Sequence, residues 1–300
     1  MATGAQVHLP YTGTWDLDSV SGDVYRIQVA WPMHWMDRSG HSDVPVLYIV
    51  DGNALFLTAA EAAWRRSATP RFQGGGLVVA IGYPLQDKVF SPRRNKDLTP
   101  PKLSATSRPY GGAGDFLDFI EGTVKPFVAK EVLAGSTLGR EALFGHSFGG
   151  LFSLYALFNR PSLFDCFIAA SPSIWWDDRL ILEYEQRFRE GKWATQHAGK
   201  DRPALMIAFG TWEQDVPRQA GETEEEYQNR WNRAQERGMV DNAKALYGRL
   251  HGYDLLSGLA VKEYPGEDHG TVMACALSRF LTTFFEEWPI SVGPPLGVSQ

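Results

Sequence analysis

Cysteine is nearly absent from this chain, with only Cys166 and Cys275 among 300 residues. Each lies in an apolar run, so two buried free thiols are expected rather than a disulfide framework. No cysteine spacing suggests a metal site, and neither a metal nor a cofactor is expected. Long hydrophobic runs are missing too: none approaches the roughly 18 residues of a membrane span, so no membrane partner is expected. The first ten residues carry neither the basic cluster nor the apolar stretch of a secretory signal. The closing Val298-Ser-Gln300 matches no address signal, so cytoplasmic is the expected location. Positive charge is in short supply: 29 Lys and Arg against 35 Asp and Glu leave a net charge of −6. That balance argues against nucleic acid as a main partner. Internal repeats, low-complexity tracts and linkers are also lacking. A single domain over residues 1–300 is the expectation, with the oligomeric state left open.

What is present is an ordinary globular composition, 44% hydrophobic and 21% charged, in a chain long enough to bury a large core. Short apolar runs alternate with amphipathic stretches, which predicts an α/β fold with a mostly parallel sheet and helices on both faces. Residues 24–31 alternate like an edge or antiparallel strand. Residues 45–50 and 77–81 are continuous aliphatic runs, as strands buried on both faces require. Residues 141–144, 167–170, 204–209 and 259–264 complete the predicted strands. Helices are predicted over 54–66, 115–132 (kinked at Pro126), 148–158 and 271–288. Two segments stand outside this layout. Residues 83–114 form a long aperiodic stretch rich in Pro, Gly and Arg, the kind of loop that is usually functional. Residues 222–252 read as one charged surface helix with an acidic first turn.

The segment Leu143-Phe-Gly-His-Ser-Phe-Gly-Gly150 contains Gly-x-Ser-x-Gly. The bare pattern is common in glycine-rich chains, so its context carries the meaning. Here a predicted strand precedes it and a predicted apolar helix follows, which is the strand–turn–helix of a nucleophile elbow in an α/β-hydrolase fold. Gly145 and Gly149 fit because side chains there would collide, and Gly150 lets the helix approach the sheet. Ser147 is the candidate nucleophile. The Phe148 backbone N–H, at the helix start, is a candidate oxyanion donor. A second donor is expected after the strand at 45–50, where Asp51-Gly-Asn53 makes Asn53 or one of its neighbours the candidate.

In this fold the order along the chain is Ser, acid, His, with the His after the last strand. Of seven histidines, His8, His34 and His41 precede the serine. His146 adjoins it and should turn away to pack the elbow, while His197 and His251 lie in polar surroundings and read as surface residues. His269, in Pro265-Gly-Glu-Asp-His-Gly270, remains as the candidate general base. The acid that would orient it is expected just after residue 209, where both Glu213 and Asp215 are in reach, with Glu213 preferred. Asp268 is poorly placed to reach the ring of its own neighbour. Trp175 and Trp176 follow a strand end near the elbow and could flank a substrate. Arg93 and Arg94 sit in the long loop and could meet an anionic or carbonyl-rich ligand.

Several of these stretches resemble the putative-esterase family of α/β-hydrolases. They are Gly145-His-Ser-Phe-Gly-Gly150, Ala169-Ala-Ser-Pro-Ser-Ile-Trp-Trp176, Val46-Leu-Tyr-Ile-Val-Asp-Gly-Asn53, Arg94-Asn-Lys-Asp-Leu-Thr-Pro100, Phe209-Gly-Thr-Trp-Glu-Gln214 and Gly266-Glu-Asp-His-Gly270. Within it the chain looks most like siderophore esterases, which open the ester bonds of enterobactin-, bacillibactin- or fusarinine-type iron chelators. The similarity runs from about Tyr25 to Phe285. It implies Ser147 as nucleophile and His269 as base, with Asn53 and Phe148 at the oxyanion positions by similarity to mycolyltransferases. Some members look like Ser–His dyads, which leaves the acid open. It also tips the balance toward a substrate role for the two arginines. A small-molecule ester is therefore the expected partner. The alternatives are esterase or acyl-transfer chemistry on another small-molecule, thio- or carbohydrate ester, and a non-catalytic binding protein of the same fold.

Overall fold

Apolar runs become most strands of the eight-stranded sheet that the described residues form. The computed structural model describes residues 8–67, 75–85, 87–101, 109–191 and 202–294. In chain order the strands are β1 (Thr12–Asp18), β2 (Val24–Ala30), β3 (Val44–Val50), β4 (Leu77–Gly82), β5 (Leu138–His146), β6 (Cys166–Ala170), β7 (Ala204–Gly210) and β8 (Gly258–Tyr264). Their order across the sheet is β1-β2-β4-β3-β5-β6-β7-β8. β1 and β2 run antiparallel to their neighbours, and from β4 to β8 every pairing is parallel. β4, β6 and β7 are buried at every position, which is why they read as unbroken apolar runs.

The helices cover both faces. They are α1 (Gly52–Ser67), α2 (Arg94–Asp97), α3 (Ala113–Phe119), α4 (Lys125–Phe127), α5 (Phe148–Asn159), α6 (Trp176–Arg179), α7 (Ile181–Glu190), α8 (Glu224–Arg237), α9 (Met239–Leu250) and α10 (Thr271–Glu286). On one face α3, α5 and α9 bring Phe116, Phe152 and Tyr247 into a core with Tyr48 and Phe167. On the other, α1 and α10 bring Phe56, Phe280 and Phe284 against Ile49, Phe144 and Met206. Truncating one such buried aromatic to Ala typically costs about 3–5 kcal/mol. No described helix is long and apolar enough to cross a membrane. Both cysteines are free, Cys166 buried and Cys275 half-buried.

Three differences from the sequence expectation have local causes. β1 carries no buried residue. It is an edge strand held by pairing with β2 from Thr12↔Ala30 to Asp18↔Val24, so it has no apolar signal to read. The helix over 113–132 is not interrupted at Pro126. It runs on through two π-helical stretches, Ile120–Val124 and Val128–Val132, on either side of α4. Pro126 has no N–H for the carbonyl one turn back, and the wider turns take up that defect. The charged stretch 222–252 is two helices rather than one. Gly238, at φ +52°, ends α8 and opens α9.

A Cβ at Gly238 would meet only ordinary contacts, at 3.5 Å or beyond, so the cost of a side chain there is conformational. Gly238→Ala should therefore destabilise the fold by about 1–2 kcal/mol, the usual cost of the left-handed conformation for a residue with a Cβ. Thermal unfolding should show a drop of a few degrees. An unchanged Tm would mean that the helix junction relaxes to another geometry.

Candidate active site

β5 ends at His146 and α5 begins at Phe148, so Ser147 alone makes the turn between them. Its backbone sits at φ +61°, ψ −118°, a region that side chains rarely adopt and that surrounding structure must enforce. Two backbone bonds do so: Ser147 N–H donates to Ala170 at 3.0 Å, and Ser173 N–H donates to Ser147 at 3.1 Å. The turn is too tight for side chains on its flanks. A Cβ on Gly145 would lie 2.0 Å from the Gly149 carbonyl oxygen, and one on Gly150 would lie 2.8 Å from that of Ala170. The Phe148 N–H stands first in α5 and has no intrahelical acceptor.

Ser147 Oγ lies 2.9 Å from His269 Nε2, and His269 Nδ1 lies 2.6 Å from Glu213 Oε2. Glu213 follows β7 in a single turn, Thr211–Glu213. Its buried carboxylate also accepts from Ser171 Oγ at 2.6 Å and from the Gly210 N–H at 2.7 Å. A carboxylate's oxygens can only accept from these three partners. Nδ1 therefore carries the ring proton and Nε2 is left free to accept from the serine hydroxyl. Asp215 is exposed, beside Gln214 and Lys244 in a separate hollow, and does not face His269. Asp268 caps α10 instead: its Oδ1 accepts from the Gly270 and Thr271 N–H groups at 2.8 and 2.9 Å. Those amides, Thr271 first, hold its carboxyl below the usual range and fix the turn that carries His269.

His146 packs under the elbow as expected, but against the ring of His269, at 4.6 Å between centroids. It is buried, and its Nε2 has no hydrogen-bond partner among the described residues. Burial above all, then the nearby His269 and Arg94, push its pKa well below the usual 6.5. His251 is half-buried, with Nε2 3.1 Å from the Gly293 carbonyl, rather than a free surface residue. His197 lies outside the described residues.

Ser147 and His269 sit between two cavities. The larger, about 660 Å³, includes Arg94, Phe148, Ser173, Trp175, Trp212 and one face of α8 in its wall. The smaller, about 230 Å³, is bounded by Phe90, Arg94, His146 and Met273. Of the four residues expected to touch substrate, the structure brings two to the cavity. Trp175 lines it, with Phe148 6.2 Å away. Arg94 lines both cavities while its Nε and Nη2 grip Asp51 at 2.8 and 2.7 Å. Trp176 and Arg93 line neither cavity. Trp176 is 4% exposed and packs on Tyr110. The Arg93 guanidinium lies over Tyr25 and Tyr83, donates to Val24, and pairs with Asp23 and Asp97, so it braces the sheet edge. Asn53 lines neither cavity; its side chain clamps both backbone groups of Tyr83 at 2.7 and 2.8 Å. Sequence reasoning passed over Ser171, Ser173, Trp212 and the α8 arginines. The run after β6, Ser171-Pro-Ser173, was the available signal for the two serines.

The family described as "Putative esterase" matches residues 19–264. A siderophore triacetylfusarinine C esterase of Aspergillus fumigatus is 51% identical over 285 residues, covering 94% of this chain and 96% of that one. A siderophore enterobactin esterase of Emericella nidulans is 45% identical, over 88% of this chain and 90% of that one. Among solved structures, the siderophore hydrolase EstB from Aspergillus nidulans superposes with a TM-score of 0.91 at 47% identity, over 97% of this chain and 100% of that one.

Because His146 is held neutral in the fold, the unfolded chain binds the extra proton below about pH 6.5, and stability must fall with pH there. This residue's share of the slope approaches about 1.4 kcal/mol per pH unit. Urea unfolding of wild type and His146→Gln between pH 7.5 and 5 should show the stability difference moving in favour of the variant as pH drops. A difference that stays constant across the range would show that His146 takes up a proton inside the fold.

Proposed function

The chain belongs to the "Putative esterase" family, and on that premise we propose that Ser147 is the nucleophile with which it hydrolyses esters, His269 the general base and Glu213 the acid that orients the base. The observation that carries this reading is the unbroken line Glu213–His269–Ser147, at 2.6 and 2.9 Å, opening on the 660 Å³ cavity. The chemistry proceeds in two halves. Ser147 Oγ attacks the ester carbonyl carbon while its proton passes to His269 Nε2. Glu213 accepts from Nδ1–H and stabilises the imidazolium that forms. The tetrahedral oxyanion meets the free Phe148 N–H and the positive charge of Arg94 in the same wall. The Asn53 amide, in the first turn of α1, is assigned as the second backbone donor. The C–O bond then breaks, and the departing alcohol takes the proton from Nε2. A water repeats the sequence on the acyl-enzyme: it loses a proton to Nε2, attacks the carbonyl, and frees the acid and Ser147.

For the substrate we propose the ester bonds of a siderophore-type lactone. The printed activities of the two relatives at 51% and 45% identity support it. So does a cavity large enough for a bulky ligand, with Trp175 and Trp212 offering ring faces in its wall. A cytoplasmic site of action belongs to the same proposal and fits two cysteines that remain free.

Incubation with ferric and iron-free cyclic trilactone siderophores, read by mass spectrometry, should show products gaining one water per opened ester. Intact trilactones alongside turnover of simple aryl esters would leave the esterase and remove the siderophore. Ser147→Ala should keep the wild-type Tm and lose about 10⁴-fold or more in kcat, together with labelling by a fluorophosphonate. Glu213→Gln should lose about 10³- to 10⁴-fold, and Asp215→Asn should stay within about twofold. Equal losses in the two carboxylate variants would unseat Glu213.

A further inference from the structure

One face of α8 is basic where it meets the larger cavity. Arg230, Arg233, Ala234 and Arg237 follow one another at the spacing that stacks side chains along a single helical face, and all four line the wall above Ser147 and His269. The arginines are not equivalent. Arg230 is committed, gripping both oxygens of Glu222 and donating to the Pro217 carbonyl. Arg94 is likewise committed to Asp51. Arg233 donates only to the Asn229 carbonyl of its own helix, and Arg237 lies 4.9 Å over the Trp175 ring. Neither has a carboxylate partner among the described residues. The carboxylates that share this wall are taken elsewhere: Glu213 by His269, Ser171 and Gly210, and Asp268 by the first amides of α10.

Two like charges four residues apart on one helix repel each other, and acidic residues are plentiful in a chain of net charge −6. Unpaired guanidinium groups on a cavity wall, one of them set on the aromatic ring that neighbours the elbow, suit a ligand that brings negative charge with it. We propose that Arg233 and Arg237 form an oxyanion-binding subsite that selects esters carrying negative charge on oxygen. This rests on the assignment of Ser147 as the esterase nucleophile and deepens it. On a siderophore-type lactone that charge has two sources. One is the carboxylate left when the first ester of a cyclic trilactone is opened; the other is a ferric tris-catecholate, a trianion where a ferric tris-hydroxamate is neutral. The electrostatics are the same for both.

Kinetics on two matched pairs test the subsite. The first sets mono-4-nitrophenyl esters of straight-chain diacids of graded length against their methyl-capped counterparts. The second sets a ferric tris-catecholate trilactone against a ferric tris-hydroxamate trilactone. In wild type the charged member should lead, and the lead should shrink as salt rises from about 20 to about 200 mM. Arg233→Gln and Arg237→Gln should each lower kcat/KM for the charged member by about fivefold, and the double variant by at least tenfold, through KM. Turnover of neutral 4-nitrophenyl acetate should stay within about twofold of wild type. Arg187→Gln, a charge change on α7 away from the cavity, should leave every ratio unchanged. Loss confined to the diacid esters identifies the carboxylate as the anion; loss on the ferric tris-catecholate identifies the chelate. A charged-to-neutral ratio equal in wild type and double variant for both pairs overturns the subsite. Failure of the underlying assignment would look different: Ser147→Ala would then turn over both members of each pair.

Discussion

The left-handed backbone of Ser147 is the constraint around which the site is built. A side chain held at φ +61° costs on the order of 1–3 kcal/mol, and only a rigid surround can keep it there. The surround is the middle of the sheet. β5 lies between β3 and β6, in parallel register with both, and the elbow backbone is bonded to the end of β6 and the turn beyond it. Fixing Ser147 fixes the level at which every other group must arrive. Glu213 arrives from the end of β7, His269 from the turn after β8 and Arg94 from the segment after β4. All come from the carboxyl ends of parallel strands, where an open α/β sheet leaves its crevice.

This geometry explains why Ser147 and His269 were legible in the sequence as candidate nucleophile and base while the candidate acid was left between two residues. An elbow needs glycine on both sides of the serine and an apolar strand before it, and those demands are written into consecutive residues. The acid needs only to reach a ring nitrogen from a loop, and both Glu213 and Asp215 are close enough along the chain. The one-turn helix at Thr211–Glu213 turns Glu213 inward toward the His269 ring, where Ser171 and Gly210 hold it. Neither donor is visible from the spacing of carboxylates.

The same limit applies to two adjacent pairs. Arg93 and Arg94 are adjacent, as are Trp175 and Trp176, and in each pair one residue faces the cavity while its neighbour enters the structure behind it. Composition says that such residues occur near the site, but the local backbone phase says which way each points. That phase is set at Arg93 by the ring faces of Tyr25 and Tyr83, and at Trp176 by Tyr110. Strands buried on both faces were readable for the opposite reason, since no phase needs to be known. β1, with nothing buried, offered neither signal.

The two cavities beside Ser147 are unequal in chemistry as well as size. An ester has two arms, and under the reading of Ser147 as nucleophile the two cavities would sort them by what each accepts. The smaller is walled by Phe90 and Met273 with one committed arginine, so it favours a compact apolar arm. The larger has ring faces and guanidinium groups without carboxylate partners among the described residues, so it favours a bulky arm that carries charge or many oxygens. The helix that builds the charged wall is α8, whose sequence reads as a solvated surface helix because its polar residues surround a single buried position, Ala234. Its functional face is hidden in that polarity. A helix laid over a cavity needs no apolar stripe when a ligand, rather than the core, is what it covers.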